Sequence, residues 1–263
     1  MVIETSMKKQ EALSIPNPHE NPREESRVSY SLYYRINEEH DSPYKSRKSL
    51  VQRLYPHALT LSYNSWILDI GSGRQAVEEE YNAYTRQQLQ KGLPVTQCRI
   101  ATLDIADLNQ DQLVGNGIPH VQASGDKLPF PDGIFPIVIS NMAFDFMPSE
   151  SKQELYRVLT PGGRVFLNLH HPSLISPDLY YLLNMQRRKI KNKMSFGKSV
   201  TIQDQLTMDG LLYRDYLRAN GILYSSPEAI RNDFERYGFL VESVNLKNDT
   251  RKNKWWEVEM RKS

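Results

Sequence analysis

Three acidic residues stand at intervals that suit a ligand with a cationic end and a nucleoside: Asp69 in DIGSG, Asp104 in TLDIAD and Asp126 in SGDKLPFPDG. Asp69 precedes the turn Gly71-Ser72-Gly73, whose glycines let backbone approach a ligand that a Cβ would exclude. A carboxylate at that point suits a cationic amino group. Asp104 ends an apolar run of strand length, where it can accept hydrogen bonds from both ribose hydroxyls. Asp126 can accept from an adenine exocyclic amine while neighbouring backbone reads the ring edge. The glycine turn alone is ambiguous. GSGRQA also satisfies the G-x-G-x-x-A fingerprint, in which a helix amino end holds a pyrophosphate, so a nicotinamide dinucleotide stays open; Asp69 would sit badly against its phosphates. Farther along, His170 and His171 adjoin in LNLHHPSLI, two imidazoles able to take a proton near neutral pH.

Such residues act together only if the fold brings them to one end. The runs WILDI, CRIATLDI, PHVQAS, FPIVIS and RVFLNL alternate with longer polar segments, a rhythm of βαβ units. Runs apolar on both faces need helices on both sides, which gives a doubly wound, mostly parallel sheet with its ligand at the carboxyl ends of the strands. QAVEEEYNAYTRQQLQ reads as a helix stopped by Gly92 and Pro94, and SPEAIRNDFERYGF as one capped by Ser226, opened by Pro227 and ended by Gly238. FLVESVNL and KWWEVEM, joined by too few residues for a crossover helix, are expected to pair antiparallel at the sheet edge, which makes seven strands. Residues 1–28 read as a mobile arm, 29–61 as a helical segment opening a domain that runs to 263, and 172–225, which lacks the rhythm, as an inserted helical cap.

Composition narrows the field further. The chain has 263 residues, 33 Lys plus Arg against 31 Asp plus Glu, and 39% hydrophobic residues. A net charge of +2 gives no global pull towards nucleic acid. One cysteine, Cys98, allows neither an intrachain disulfide nor a Cys-based zinc site, which points to a reducing cytoplasm. No run is long and apolar enough to span a bilayer, and MVIETSMKKQ is not a signal peptide.

Through WILDIGSG, TLDIAD, GDKLPFPDGIF, IVISNMAFDFM and ELYRVLTPGGRVFLNL the sequence resembles the class I S-adenosylmethionine-dependent methyltransferases, over about Ser65 to Leu169 and again over 226–260. The resemblance implies their Rossmann-like α/β fold and S-adenosylmethionine as cofactor. It also implies that Asp69, Gly71, Ser72 and Gly73 shape the methionine side of the site, that Asp104 holds the ribose, and that Asp126, beside Lys127, holds the adenine amine. Ile105 and Met142 would line the adenine pocket, Asn141 would sit near the sulfonium, and Tyr33, Tyr34 or Arg35 would cover the cofactor carboxylate, with Tyr34 taken as the contact. One departure stands out. Gln75 occupies the place of the family's third glycine.

A hydroxyl or amine acceptor must lose a proton, and His170 and His171 are the candidate bases; an even alternative is that one caps the strand end while the other packs under the cap. Asp145 is a second candidate, expected rather at the surface or as a cap. It is too isolated to suggest a metal-assisted mechanism, so no metal is expected. Cys98, at the start of its strand, cannot serve carbon methylation of a pyrimidine, and the Asn/Asp-Pro-Pro-aromatic motif of many amine methyltransferases is missing from Ser140-Asn141-Met142-Ala143. The expected activity is methyl transfer to a small-molecule or short-peptide acceptor, at oxygen. Two alternatives stay open: an RNA methyltransferase using the basic run Arg187, Arg188, Lys189, Lys191, Lys193 and Lys198, which a solvated surface explains better, and a cofactor-binding protein without chemistry. The sequence leaves oligomeric state undetermined.

Overall fold

The computed structural model describes residues 45–96, 98–106, 108, 113, 117–175, 185, 188–191, 221–248 and 254–263. The amino-terminal arm, Tyr33, Tyr34, Arg35, most of the 172–225 segment, and Arg187, Lys193 and Lys198 of the basic run lie outside these.

Seven strands form one sheet: β1 (Trp66–Ile70), β2 (Arg99–Asp104), β3 (His120–Gln122), β4 (Phe135–Asn141), β5 (Leu159–His170), β6 (Phe239–Asn248) and β7 (Lys254–Lys262). Their order is β3-β2-β1-β4-β5-β7-β6, parallel from β3 to β5. The order of strand addition therefore reverses between β1 and β4, where a doubly wound sheet opens its ligand crevice. The last two strands do pair antiparallel, but the strand running against the rest, β7, is not on the rim. It lies between β5 and β6, leaving β6 at the edge, parallel to β5.

Side-chain alternation along the strands fills both faces. Leu68, Ile70, Val138, Val165 and Leu167 point to one face, under α3 (Ser151–Val158) and α4 (Pro227–Glu235). Ile67, Ile137, Ile139 and Phe166 point to the other, under α1 (Lys45–Ala58) and α2 (Ala76–Gln90). Leu50, Val51, Leu54 and Ala58 of α1 recur at helical spacing and are fully buried. The leucines and the valine each contribute about 1.5–3 kcal/mol relative to exposure. The Ser226 hydroxyl accepts from the Ala229 N–H at 3.2 Å with Pro227 in the first turn, so α4 starts where its cap dictates. Among the described residues no helix is long and apolar enough to cross a membrane.

Candidate functional site

The alternation that buries Ile67 also aims Asp69 at the α1/α2 face, and it does the same for Asp104 on β2 and Asn141 on β4. Just beyond β1 the chain turns: the Gly71 and Ser72 N–H groups both donate to the Leu103 carbonyl, at 2.7 and 3.1 Å. Gly71 has φ +73°, and a Cβ there would lie 2.4 Å from the Ala143 Cβ. The loops after β1 and β4 meet only because that side chain is absent. The Gly73 N–H donates to Asp104 Oδ2 at 2.7 Å and the Ala106 N–H to Oδ1 at 2.8 Å. Each Asp104 oxygen keeps a second lone pair, so the carboxylate is held in place with capacity for a diol. Burial raises its pKa, against the opposing pull of the two backbone N–H groups.

Gln75 keeps the left-handed backbone of the glycine it replaces, at φ 66°. Its carboxamide donates to the Thr102 hydroxyl at 2.8 Å, which offsets the strain and ties the loop to β2.

Asp69 meets no such donors. It is fully buried, and neither of its oxygens receives an N–H or O–H from any third residue among those described. It faces Glu78, in the first turn of α2, which is equally buried and equally without a third partner. Burial pushes both carboxyls up, Glu78 to about 7 and Asp69 well above the ordinary range, the charges of Glu78 and Asp104 adding to the rise of Asp69. Two carboxyls in apolar surroundings cannot both ionise cheaply, so the doubly charged form of the pair is disfavoured.

At the ends of β4 and β5 the pattern is one of completed pairs. Asn168 accepts from Arg53 of α1 at 2.7 Å and donates to the Ser46 carbonyl at 2.8 Å and to Asn141 Oδ1 at 2.9 Å. Asn141 is thus held with its oxygen towards Asn168. Met142 follows with φ 58°, its N–H on the Asn168 carbonyl at 2.8 Å. Asp145, expected at the surface or as a cap, is 2% exposed and caps, because the short turn Phe144–Phe146 carries it under the end of β5. There its Oδ2 accepts from the His170 backbone N–H at 2.8 Å and from the His170 ring at Nδ1. His170 is 1% exposed, edge-on to Phe146. His171 differs: its Nδ1 accepts the Ser173 N–H at 3.1 Å and faces the Ser173 hydroxyl, so it caps the turn after β5. Burial and then Lys254 lower its pKa.

The structure therefore brings together Asp69, Gly71, Ser72, Gly73, Asp104, Asn141 and Met142 around the crevice. Met147 joins the loop after β3 to this group, lying 3.1 Å from the Cβ position at Gly71 and 2.6 Å from that at Gly125. Asp126 follows Gly125, half-buried, and takes the Ser124 hydroxyl. Ile105 is half-buried at the end of β2, and Lys127 is exposed. Glu78 and Asn168 escaped the sequence reading. Glu78 shared the apolar stripe of Val77 and Tyr81, a signal hidden within three consecutive glutamates.

These residues fit S-adenosylmethionine: unpaired buried acceptors for a cationic amino group, a positioned carboxylate for a ribose diol, and glycine clearance between. Residues 68–167 match the family model described as a methyltransferase domain. Curated relatives include the ubiquinone/menaquinone biosynthesis C-methyltransferase UbiE of Vibrio parahaemolyticus, 23% identical over 70% of this chain, and that of Pasteurella multocida, 28% identical over 54%. The matches span 58% and 46% of those relatives. Among solved structures, the Burkholderia thailandensis 1,6-didemethyltoxoflavin-N1-methyltransferase with bound S-adenosylhomocysteine superposes with a TM-score of 0.60 at 12% identity, covering 95% of this chain and 92% of that one. The cyclase SpnF gives 0.57 at 11%, over 91% and 96%. At those identities the superpositions establish the fold alone. The family match runs from β1 to β5 through the glycine loop and Asp104, so residues 68–167 are similar to a methyltransferase domain on a fold shared with S-adenosylmethionine-dependent methyltransferases.

Proposed function

We propose that the protein moves the methyl group of S-adenosylmethionine to a hydroxyl of a small-molecule or short-peptide acceptor, with His170 as general base. The observation that carries this reading is the buried His170–Asp145 pair beside the Asn141 end of β4. The cofactor supplies an electrophilic methyl on a positively charged sulfur. Asp69 would hold its amino group, Asp104 its ribose and Asp126 its adenine amine, with Ser72, Ile105, Lys127 and Met142 lining the same pocket; Tyr34 lies outside the described residues. Asp145 fixes the His170 proton on Nδ1, so Nε2 is the nitrogen that takes the acceptor's proton while the oxygen attacks the methyl. Because the ring is covered, acceptor binding must displace what lies over it. His171, its Nδ1 committed to Ser173, is a capping residue in this reading. The single cysteine fits a reducing cytoplasm.

Fold neighbours named for methyl transfer and for cyclisation show that the scaffold does not choose the reaction. The test is methyl transfer from methyl-labelled S-adenosylmethionine to a panel of phenols, carboxylic acids and short peptides, with product structure by NMR. His170→Ala is expected to lower kcat by about 10²–10⁴-fold without weakening cofactor binding. Undiminished turnover would remove His170 as base. A carbon-methylated product, as the UbiE names describe for those relatives, would overturn the oxygen assignment and keep the base.

A further inference from the structure

Glu78 has no part in the scheme above, yet it is a fully buried carboxyl opposite Asp69, in a helix whose next two residues, Glu79 and Glu80, are outside the core. A carboxyl with no N–H or O–H donor inside a protein costs several kcal/mol unless something neutralises it. Ionic partners do not explain its retention. The charges acting on Asp69 are those of Glu78 and of Asp104 from β2, both negative, and His120 from β3 acts on Asp104. Arg74 is the basic residue of the intervening loop, and α1 contributes Tyr55, whose buried hydroxyl has no partner. Ser72, 8% exposed, also keeps an unsatisfied hydroxyl in the same loop. Two buried carboxyls without a hydrogen-bond donor among the described residues thus flank the glycine loop, one on β1 and one on α2.

Resting on the cofactor reading above, we propose that Glu78 and Asp69 form a proton-sharing receptor for the cationic amino group of S-adenosylmethionine, which releases the shared proton to solvent as the cation takes its place. Before binding, the two carboxyls carry one negative charge and one proton. Afterwards they carry two negative charges facing the ammonium, and the proton has gone to the buffer. A cation within hydrogen-bonding reach lowers a carboxyl pKa by about 1–3 units, enough to expel a proton held near neutrality. Cofactor affinity therefore rises with pH, by up to about tenfold per unit, until the free pair has ionised.

The experiment is calorimetric titration of the full chain with S-adenosylmethionine at pH 6.5 in buffers of different ionisation enthalpy, where the ligand's own α-ammonium, with an ordinary pKa of about 8, stays protonated. The slope of heat against buffer enthalpy counts protons. Release approaching one proton per cofactor is expected for the native protein, falling as the pH is raised to 7.5. In Glu78→Gln the release at pH 6.5 should fall and the affinity should lose most of its pH dependence below 7.5. Binding without proton release in the native protein overturns the inference while leaving the methyltransferase reading intact; so does unchanged release in Glu78→Gln. Should that variant not fold, the native pH series decides alone. Absence of any cofactor binding would instead remove the reading on which the inference rests.

Discussion

Asp104 and Asp69 end neighbouring strands, point to the same face and are both buried, yet one is finished and the other is not. The Asp104 carboxylate sits on two backbone N–H groups from two loops, which offset part of the cost of burying its charge. Asp69 has only another carboxyl opposite. The difference separates two ways of recognising a ligand. Neutral hydroxyls are met by a charge already fixed in place, whereas a cation is met by a charge that its arrival creates.

Substitution separates the two designs. Asp104→Ala strands the Gly73 and Ala106 N–H groups as well as the diol, and hydrogen bonds to a charged partner are worth about 1.5–3 kcal/mol each. Cofactor affinity should fall by at least about 100-fold, by an amount nearly independent of pH; a loss confined to high pH would erase the distinction. Asp145→Asn, at the acceptor end, should lower kcat by about 10²-fold and leave the cofactor Kd within about twofold. A large change in Kd would mean that the two ends are not separable.

A third test uses stability without ligand. A carboxyl raised by burial binds more protons folded than unfolded, so Glu78 costs the native protein stability as pH climbs from about 4.5 to about 7, and Asp69, raised well above its ordinary range, adds to the loss. Glu78→Gln should flatten part of that loss, worth on the order of 1 kcal/mol per pH unit, in denaturant melts across this window. Identical pH profiles would show Glu78 to be no burden. The smallest effect is expected from Gln75→Gly, which relieves a left-handed backbone while losing the bond to Thr102, a net change within about 1 kcal/mol.

Much of this arrangement was legible from local pattern. WILDI and FPIVIS announced strands because their apolar residues are consecutive, and Ser226-Pro227 announced a helix start because the capping chemistry is local. What stayed hidden depends on partners distant in the chain. Asp145 reads as a surface acid until His170, 25 residues on, closes over it. Asn168 looks like a polar interruption in RVFLNLH, and its use as the link between α1 and Asn141 needs residues 46, 53 and 141 at once. The antiparallel pair at the sheet edge is legible because hairpin pairing is short-range, while the second ladder of β7, to β5, spans most of 100 residues.

That second ladder bears on how the protein is made. β6 leaves the ribosome before β7, yet its only neighbour in the sheet is β7, which must first slot against β5. Hydrogen bonding thus runs against the order of synthesis at this margin. A nascent chain halted after β6 would hold the cofactor crevice of β1, β2 and β4 while exposing the unpaired flank of β5, an open edge of the kind that pairs with other chains.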